Sequence, residues 1–304
     1  MRMVFNSCAV QLQDDIHATL NYKFNALRLE ARRNQLIDHL LHDTQSGVTQ
    51  NRYTDHAIIV SVTTYGQRIH DVSLAIESIM QQTMKPNRIC LWLDNSFQGQ
   101  PLPRSLELQQ TRGLEIFFCE DIRSYKKLIP QMQQTPKDAI ITIDDDILYD
   151  YDVLEHLILA YLDSPEMIHC CRAHKIKLGK DGSLLPYHQW ESRFSEPGAS
   201  HLLFLTGCGG TIYPPNSLDP AVFDQDTFMK ICPDADDVWF TAMAIKKGTP
   251  INKVFTRNKS GEDYLEIPSH GENRLSYKNV TLDGNDRQIY AVFSRYNLIN
   301  KLSD

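Results

Sequence analysis

The sequence predicts an α/β fold in which a doubly wound, mostly parallel sheet follows an N-terminal helical extension. Short runs of β-branched and other apolar residues recur between residues 57 and 143, as in strands that are covered on both faces. Segments with helical spacing of apolar residues lie between these runs, which is typical of βαβ units. Polar and acidic residues follow the runs, where open α/β sheets bind their ligands.

Length and composition narrow the class of protein. The 304 residues suffice for one large α/β domain with extensions or for two domains, and 42% hydrophobic residues can build a core. A net charge of -7 argues against nucleic acid as a partner. Seven cysteines without a C-x-x-C indicate a reducing compartment and argue against zinc. We expect a cytoplasmic protein, with peripheral contact to the inner face of the membrane left open.

The first 50 residues differ from the rest of the chain. Residues from Asp15 to His42 predict one polar helix, in which Leu20, Phe24 and Leu27 recur near helical spacing. The polar segment from Asp43 to Asp55 predicts a linker. The helix could pack on its own domain, pair with a second copy in a homo-oligomer, or touch an anionic membrane. The first of these is the simplest expectation.

The predicted elements then alternate along the chain. Strands are predicted at Ala57–Val62, Arg88–Leu93, Leu114–Phe118 and Ala139–Ile143. Helices are predicted from Val72 to before Pro86, after Pro103, from Ser124 to Gln134, and from Asp237 to Lys247, where Gly248 ends the last one.

Polar side chains follow each predicted strand. In chain order they are Thr63, Thr64 and Tyr65, then Asp94 and Asn95, then Glu120 and Asp121, then Asp144, Asp145 and Asp146. The carboxyl ends of parallel strands meet at one edge of a sheet, so these residues together predict a ligand site there.

The aspartate triplet Asp144–Asp146 is the sharpest signal at this edge. Three adjacent carboxylates repel one another, and keeping them ionised calls for a cation. Mg²⁺ or Mn²⁺ takes one or two protein carboxylates together with phosphate oxygens and water. With strand-like spacing, Asp144 and Asp146 lie on the same side of the chain and could serve the metal together. The alternative is that Asp145 is the functional aspartate. The alternative without a metal is an acidic turn before a helix capped by Asp152.

Basic residues suited to an anionic ligand lie nearby in the sequence. Arg123 and Lys127 stand one turn apart in the predicted helix, whose N-terminus would also favour phosphate. Arg68, just after the first strand, is a further candidate. The alternative interpretation is a solvated basic face.

Four stretches carry a resemblance to a known family. They are Ile58-Ile-Val-Ser-Val-Thr-Thr-Tyr65 with the helix Ala75-Ile-Glu-Ser-Ile-Met-Gln-Gln-Thr83, then Leu91-Trp-Leu-Asp-Asn95, then Asp144-Asp-Asp146, and last Thr206-Gly-Cys-Gly-Gly-Thr-Ile-Tyr-Pro214 followed by Asp234-Ala-Asp-Asp-Val-Trp239. From Ala57 to about Gly248 the chain resembles nucleotide-sugar-dependent glycosyltransferases of the Rossmann-like glycosyltransferase-A fold, nearest to the family-2-like bacterial enzymes of surface-polysaccharide synthesis. Residues 1–50 lie outside the resemblance.

The resemblance implies roles for individual residues. The donor would be held by Thr63, Tyr65, Arg68, Asp94, Lys126, Lys127, Asp144 and Asp145. Asp146 would bind the metal, with Asp144 and His270 as further candidate ligands, and Gly209, Gly210 and Trp239 would contact the acceptor sugar. Asp237 would be the general base, with Asp236 as its alternative, and the reaction would invert the anomeric configuration.

The implied function is Mn²⁺- or Mg²⁺-dependent transfer of a sugar, from a UDP-sugar first of all, to a hydroxyl of a glycan or lipid-linked acceptor. We accordingly expect four parts of the chain: an extension (1–50), a nucleotide-sugar-binding half (51–150), an acceptor-binding and catalytic half (151–260) and a tail (261–304). One alternative is a sugar-1-phosphate nucleotidyltransferase, which would need a Gly-rich basic loop where Thr63–Arg68 stands. The other is a non-catalytic carbohydrate-binding or scaffold protein on the same fold.

Overall fold

A computed structural model describes residues 2–259, 261–268 and 284–302. The chain divides into two compact units, residues 1–43 and residues 44–304. Inside the second unit, the predicted division into two halves and a tail stays a prediction.

The first unit is a single long helix, α1 (Arg2–His42). It begins well before Asp15, where the sequence predicted its start, and it ends at His42 as predicted. The side chains of Leu20, Phe24 and Leu27 are exposed and recur at helical spacing. Among the described helices, including this one, none combines the length and the apolar character needed to cross a membrane.

The second unit is built around β-strands that the chain visits in a non-sequential order. Numbered along the described chain, the strands are β1 (Ile58–Thr63), β2 (Arg88–Asp94), β3 (Leu114–Cys119), β4 (Ala139–Thr142), β5 (Ile147–Tyr149), β6 (Ile168–Cys170), β7 (Ala173–Lys175), β8 (Gly198–Ser200), β9 (Leu203–Leu205), β10 (Thr211–Tyr213), β11 (Ile251–Lys253) and β12 (Tyr264–Glu266). Eight of them form one sheet in the order β3-β2-β1-β4-β10-β6-β11-β8. The remaining four form two small sheets, β12-β5 and β7-β9.

The large sheet is mostly parallel. β3, β2, β1 and β4 pair in parallel, as do β6 and β11. β10 runs antiparallel between β4 and β6, which makes those two strands parallel to each other, and β8 is an antiparallel edge strand. This arrangement confirms the predicted α/β fold, and it brings the carboxyl ends of β1, β3, β4 and β6 to one edge.

Helices cover both faces of the sheet. After α1 they are α2 (Val72–Met80), α3 (Arg104–Gln110), α4 (Ile129–Gln134), α5 (Val153–Asp163), α6 (Gln225–Ile231), α7 (Asp236–Lys247) and α8 (Gly284–Arg295). Ile141 of β4 packs in one core with α2 and α5, whereas its neighbour Ile140 packs in the other core with α7 and α8. Successive side chains of a strand point to opposite faces, so a continuous apolar run is needed to serve both cores.

The helix predicted from Ser124 to Gln134 is two separate pieces. A five-residue 3-10 turn, Arg123–Lys127, is followed after Leu128 by α4. Pro130 causes the break, because its ring would clash with the carbonyl four residues back and it has no N–H to donate. Arg123 and Lys127 therefore do not share one face of a helix, and a 3-10 turn this short has no macrodipole to hold a phosphate.

The last described segment, residues 284–302, belongs to the main core. Ile289, Val292 and Phe293 of α8 are buried in the same cluster as Val238 and Phe240 of α7. Burying an apolar side chain of this size contributes about 1.5–3 kcal/mol. No helix or strand was predicted for this segment from the sequence, so its place in the core is a finding of the structure.

Candidate active site

A cavity of about 1070 Å³ opens at the edge of the sheet where the parallel strands end. Ten of the residues whose roles the resemblance implies line it, namely Thr63, Tyr65, Arg68, Lys126, Lys127, Asp144, Asp145, Asp146, Asp236 and Asp237. Strand ends and the start of α7 thus bring together groups that lie far apart in the sequence.

The three aspartates of the triplet differ in exposure. β4 ends at Thr142, and the N–H of Ile143 still donates to Ser61 at 3.2 Å, so the turn begins directly beside β1. The side chain of Asp145 is only 9% exposed, whereas those of Asp144 and Asp146 are 29% and 28% exposed. All three line the cavity, and the first and third carboxylates are the more accessible from it.

Asp145 is held from two sides. Its Oδ2 accepts a hydrogen bond from the hydroxyl of Thr64 at 2.6 Å, and its Oδ1 lies 2.6 Å from Nη2 of Arg68. The same nitrogen lies 2.7 Å from Oδ2 of Asp146. Burial raises the pKa of Asp145 to about 7, although Arg68 and Thr64 oppose the rise.

Lys127 joins the triplet to the second acidic motif. Its Nζ lies 2.8 Å from Oδ1 of Asp144 and 2.9 Å from Oδ2 of Asp236, which keeps these two oxygens within about 6 Å of each other. Burial alone would lower the pKa of Lys127, but Asp144, Asp236 and Asp237 together raise it well above its usual value. The lysine is therefore a fixed positive charge between the two motifs.

Asp237 has a different environment from its neighbour Asp236. Both of its carboxylate oxygens lie 3.1 Å from the N–H of Gly207, which donates to them from the Gly-rich loop. Burial, followed by the charge of Asp236, raises the pKa of Asp237 to about 7, against the opposing charge of Lys127. A carboxylate with this pKa can accept a proton near neutral pH.

The Gly-rich loop and the triplet are also joined directly. The hydroxyl of Tyr149 accepts a hydrogen bond from the N–H of Asp144 at 3.0 Å and donates one to the carbonyl of Cys208 at 3.1 Å. Tyr149 is fully buried, so this link is rigid. One side chain therefore holds the triplet against the Gly-rich loop, whose Gly207 contacts Asp237.

The residues present fit a divalent cation that is completed by substrate. Across residues 2–259, 261–268 and 284–302, no three His, Cys, Asp or Glu side chains surround one point as a closed metal centre would. Mg²⁺-like ions, however, commonly take one or two carboxylates and fill the remaining positions with phosphate oxygens and water. Asp144 and Asp146, both facing the cavity, supply a donor set of this kind.

Several predicted residues lie elsewhere. Asp94 does not line the cavity, because it caps the 3-10 turn after β2 by accepting from the N–H of Ser96 at 2.9 Å. Trp239, predicted to contact the acceptor, does not line the cavity: it is fully buried, and its indole N–H donates to the carbonyl of Val222 at 3.1 Å. Gly209 and Gly210 are buried behind the cavity wall, and His270 lies outside the described residues.

A second part of the cavity wall is made of residues that were not predicted from the sequence. Arg172 follows β6, and its Nη1 donates to the hydroxyl of Thr206 at 2.9 Å. Glu262 approaches Arg172 at 3.5 Å and Arg193 at 2.9 Å. Burial and the two arginines lower the pKa of nearby His174 to about 3, so this ring is neutral near pH 7.

Aromatic rings complete this wall. Tyr187 and Trp190 both line the cavity, with ring centres 5.2 Å apart.

The strand-end rule would have found Arg172 had β6 been recognised, but a strand of three residues has no readable period. Tyr187 and Trp190 lie in an irregular loop, and no sequence signal marked them.

The chain is similar to known proteins only at the level of solved structures. No protein-family model matches the chain, and neither does any curated protein. Among solved structures, a mannosyltransferase from Pyrobaculum calidifontis in complex with GDP-Man and Mn²⁺ matches 48% of this chain and 44% of its own, at 17% identity and a TM-score of 0.32. This chain thus spans less than half the length of that protein.

A second solved structure is a CMP:2-keto-3-deoxy-manno-octonic acid synthetase complexed with CTP. It matches 66% of this chain and 89% of its own, at 13% identity and a TM-score of 0.35. Similarities of this size support no conclusion about the function of this chain.

Proposed function

We propose that the protein is a divalent-metal-dependent glycosyltransferase that moves a sugar from a nucleotide-sugar donor to an acceptor hydroxyl. The observation that carries this proposal is the bridge from Asp144 through Lys127 to Asp236. It puts a carboxylate cluster suited to a metal–diphosphate next to a second acidic pair suited to proton transfer, inside one large cavity. The resemblance to family-2-like enzymes of the glycosyltransferase-A fold supports the same assignment.

The donor would lie along the triplet side of the cavity. Tyr65 is 46% exposed there and offers a ring face for a nucleotide base, and Arg68 and Lys127 offer positive charge for the diphosphate. Asp144 and Asp146 would hold Mn²⁺ or Mg²⁺. When bound, the ion would neutralise the charge that develops on the departing nucleoside diphosphate.

Asp237 is the group best placed to act as general base. Its pKa of about 7 matches the task, and Gly207 holds its carboxylate in place. Asp236 is ion-paired with Lys127, which makes it the weaker candidate. Asp237 would take the proton of the acceptor hydroxyl as the oxygen bonds to the anomeric carbon and the bond from that carbon to the phosphate oxygen breaks. Attack from the face opposite the nucleotide would invert the anomeric configuration.

The acceptor would bind along the second part of the cavity wall. Tyr187 and Trp190 supply apolar ring surface, and Arg172 and Glu262 supply hydrogen-bonding groups of both signs. Aromatic surface with a few fixed polar groups is typical of small-molecule sites and suits a glycan. A UDP-sugar as donor, a lipid-linked acceptor and a cytoplasmic location remain parts of the proposal.

The test is a panel of nucleotide sugars incubated with the full chain in Mn²⁺ or EDTA, scored by release of free nucleoside diphosphate. We expect slow hydrolysis of one donor, lost in EDTA and reduced about 10²-fold or more by Asp146→Asn. Asp219→Asn is the matched control, since Asp219 pairs with Lys246 outside the cavity. Unchanged turnover in Asp146→Asn would refute the assignment.

The same panel separates the alternatives. Pyrophosphate release from a nucleoside triphosphate and a sugar 1-phosphate would identify a nucleotidyltransferase. Glycan binding without hydrolysis or binding of any donor would identify a carbohydrate-binding or scaffold protein.

A further inference from the structure

One guanidinium nitrogen lies between two carboxylates of the triplet. Nη2 of Arg68 is 2.6 Å from Oδ1 of Asp145 and 2.7 Å from Oδ2 of Asp146, and the Arg68 side chain is 24% exposed. A divalent cation that used Asp146 would approach the same pair of oxygens from the cavity. Metal–oxygen distances are about 2.0–2.1 Å for Mg²⁺, so the cation and the guanidinium would lie within a few ångström of each other.

These two cations exclude each other electrostatically. Like charges at such a separation in a partly buried site repel strongly. With the three aspartates ionised, Arg68 and Lys127 leave the triplet with one net negative charge. If Arg68 left while Lys127 stayed, the remaining charge of -2 would match a dication.

Arg68 also contacts an aromatic ring outside the triplet. It follows β1 in the 3-10 turn Gly66–His70, at the cavity wall, and its guanidinium carbon lies 5.3 Å from the centre of the exposed Tyr65 ring. A rotation of its long side chain would keep the cation–π contact while releasing the carboxylates. The released charge would stay beside Tyr65, on the donor side of the cavity.

We infer that Arg68 is the resident counter-cation of the aspartate triplet and that a divalent cation binds there only by displacing it. This inference rests on the proposed function, which puts the metal on Asp144 and Asp146. Arg68 is then a positioning residue with two states, paired with Asp145 and Asp146 in the metal-free protein and released toward the donor phosphates in the loaded one.

The test measures Mn²⁺ binding to the full chain without any nucleotide, from the loss of the free-ion electron paramagnetic resonance signal at pH 8. Removing the competing charge in Arg68→Gln should tighten Mn²⁺ binding at least about tenfold, because a charge this close shifts ion binding by one to three powers of ten. Arg68→Lys keeps a competing positive charge, so its Mn²⁺ affinity should increase less. Arg88→Gln removes an arginine that pairs with Glu115 outside the cavity, and it should bind Mn²⁺ as the wild type does.

A double variant shows whether the gain in Mn²⁺ affinity depends on Asp146. Asp146→Asn added to Arg68→Gln should remove the extra affinity, and circular dichroism should show that each variant is folded. The inference is overturned if Arg68→Gln binds Mn²⁺ no more tightly than the wild type, or if the gain survives Asp146→Asn.

The two proposals fail separately. If Arg68→Gln shows no gain but the wild type hydrolyses a donor with Mn²⁺, the role of Arg68 is wrong and the proposed function stands. If the gain appears but no donor is ever turned over, the competition at the triplet stands and the proposed function falls.

Discussion

Gly207 shows how little space separates the two acidic motifs. A Cβ atom at this position would lie 2.9 Å from Nζ of Lys127 and 3.0 Å from Oδ1 of Asp237. Its N–H also donates to both oxygens of Asp237. The absent side chain therefore lets the lysine and the proposed base approach the same stretch of backbone.

We expect Gly207→Ala to reduce sugar transfer by about 10²-fold, because a displacement of about 1 Å in a catalytic group has this effect. Gly182→Ala is the control: Gly182 lies in an exposed turn at φ +79°, with open space around the added methyl. That control should cost about 1–2 kcal/mol of stability and leave transfer unchanged. Both are measured by steady-state rates and thermal unfolding, and full activity in Gly207→Ala would contradict the prediction.

At this scale the sequence predicts the place of the triplet but not its geometry. Asp144–Asp146 could be located because an apolar run of strand type ends there and strand ends bind ligands. That Asp145 is the least exposed of the three depends on Thr64 and Arg68, which reach it from β1 through the fold. Contacts between distant segments leave no trace in local spacing.

Among the elements, the long buried strands were predictable and the short ones were not. β1 and β2 are continuous apolar runs, and each prediction falls within one residue of the observed end. β6, β10 and β11 have three residues each and exist because they pair with neighbours in the sheet. Arg172 was missed for this reason, since its place at a strand end requires β6.

A buried ion pair ties α2 to the turn after α3. Nη1 of Arg112 donates to Oε1 of Glu77 at 2.9 Å and to Oε2 at 3.1 Å, and both side chains are almost fully buried. Gln109 donates to the same carboxylate at 3.0 Å. Removing one member of such a pair leaves an uncompensated charge in the interior.

We expect Glu77→Gln to lower the free energy of unfolding by roughly 3–5 kcal/mol, since Arg112 would lose its counter-charge. The matched control is Glu115→Gln, because Glu115 pairs with Arg88 at the surface, where 40% of the Glu115 side chain is exposed. That control should cost no more than about 1 kcal/mol. Urea unfolding measures both, and equal effects of the two substitutions would contradict the prediction.

For the molecule as a whole, the sheet creates one electrostatic environment from separate segments. The charges around Asp237 come from Asp236 at the start of α7, Lys127 in a 3-10 turn and Asp144 after β4. The two carboxylates raise the pKa of Asp237 and the lysine lowers it, while burial makes the largest contribution, upward. No one of these segments would produce a base with a pKa near 7 by itself.

The pH profile of sugar transfer should report this balance. Asp237 accepts a proton only when it is ionised, so kcat/KM should rise with pH through about 7 and level off above it. Lys127 stabilises the ionised form, so Lys127→Met should move the rising limb to higher pH as well as lower the plateau. Asp237→Asn should lose most of the activity, and the remaining kcat/KM should no longer rise with pH through about 7. Lys127 and Asp237 share one buried environment, so loss of the positive charge must raise the pKa of Asp237. If the rising part of the pH profile stays at the same pH in Lys127→Met, the titrating base is therefore not Asp237.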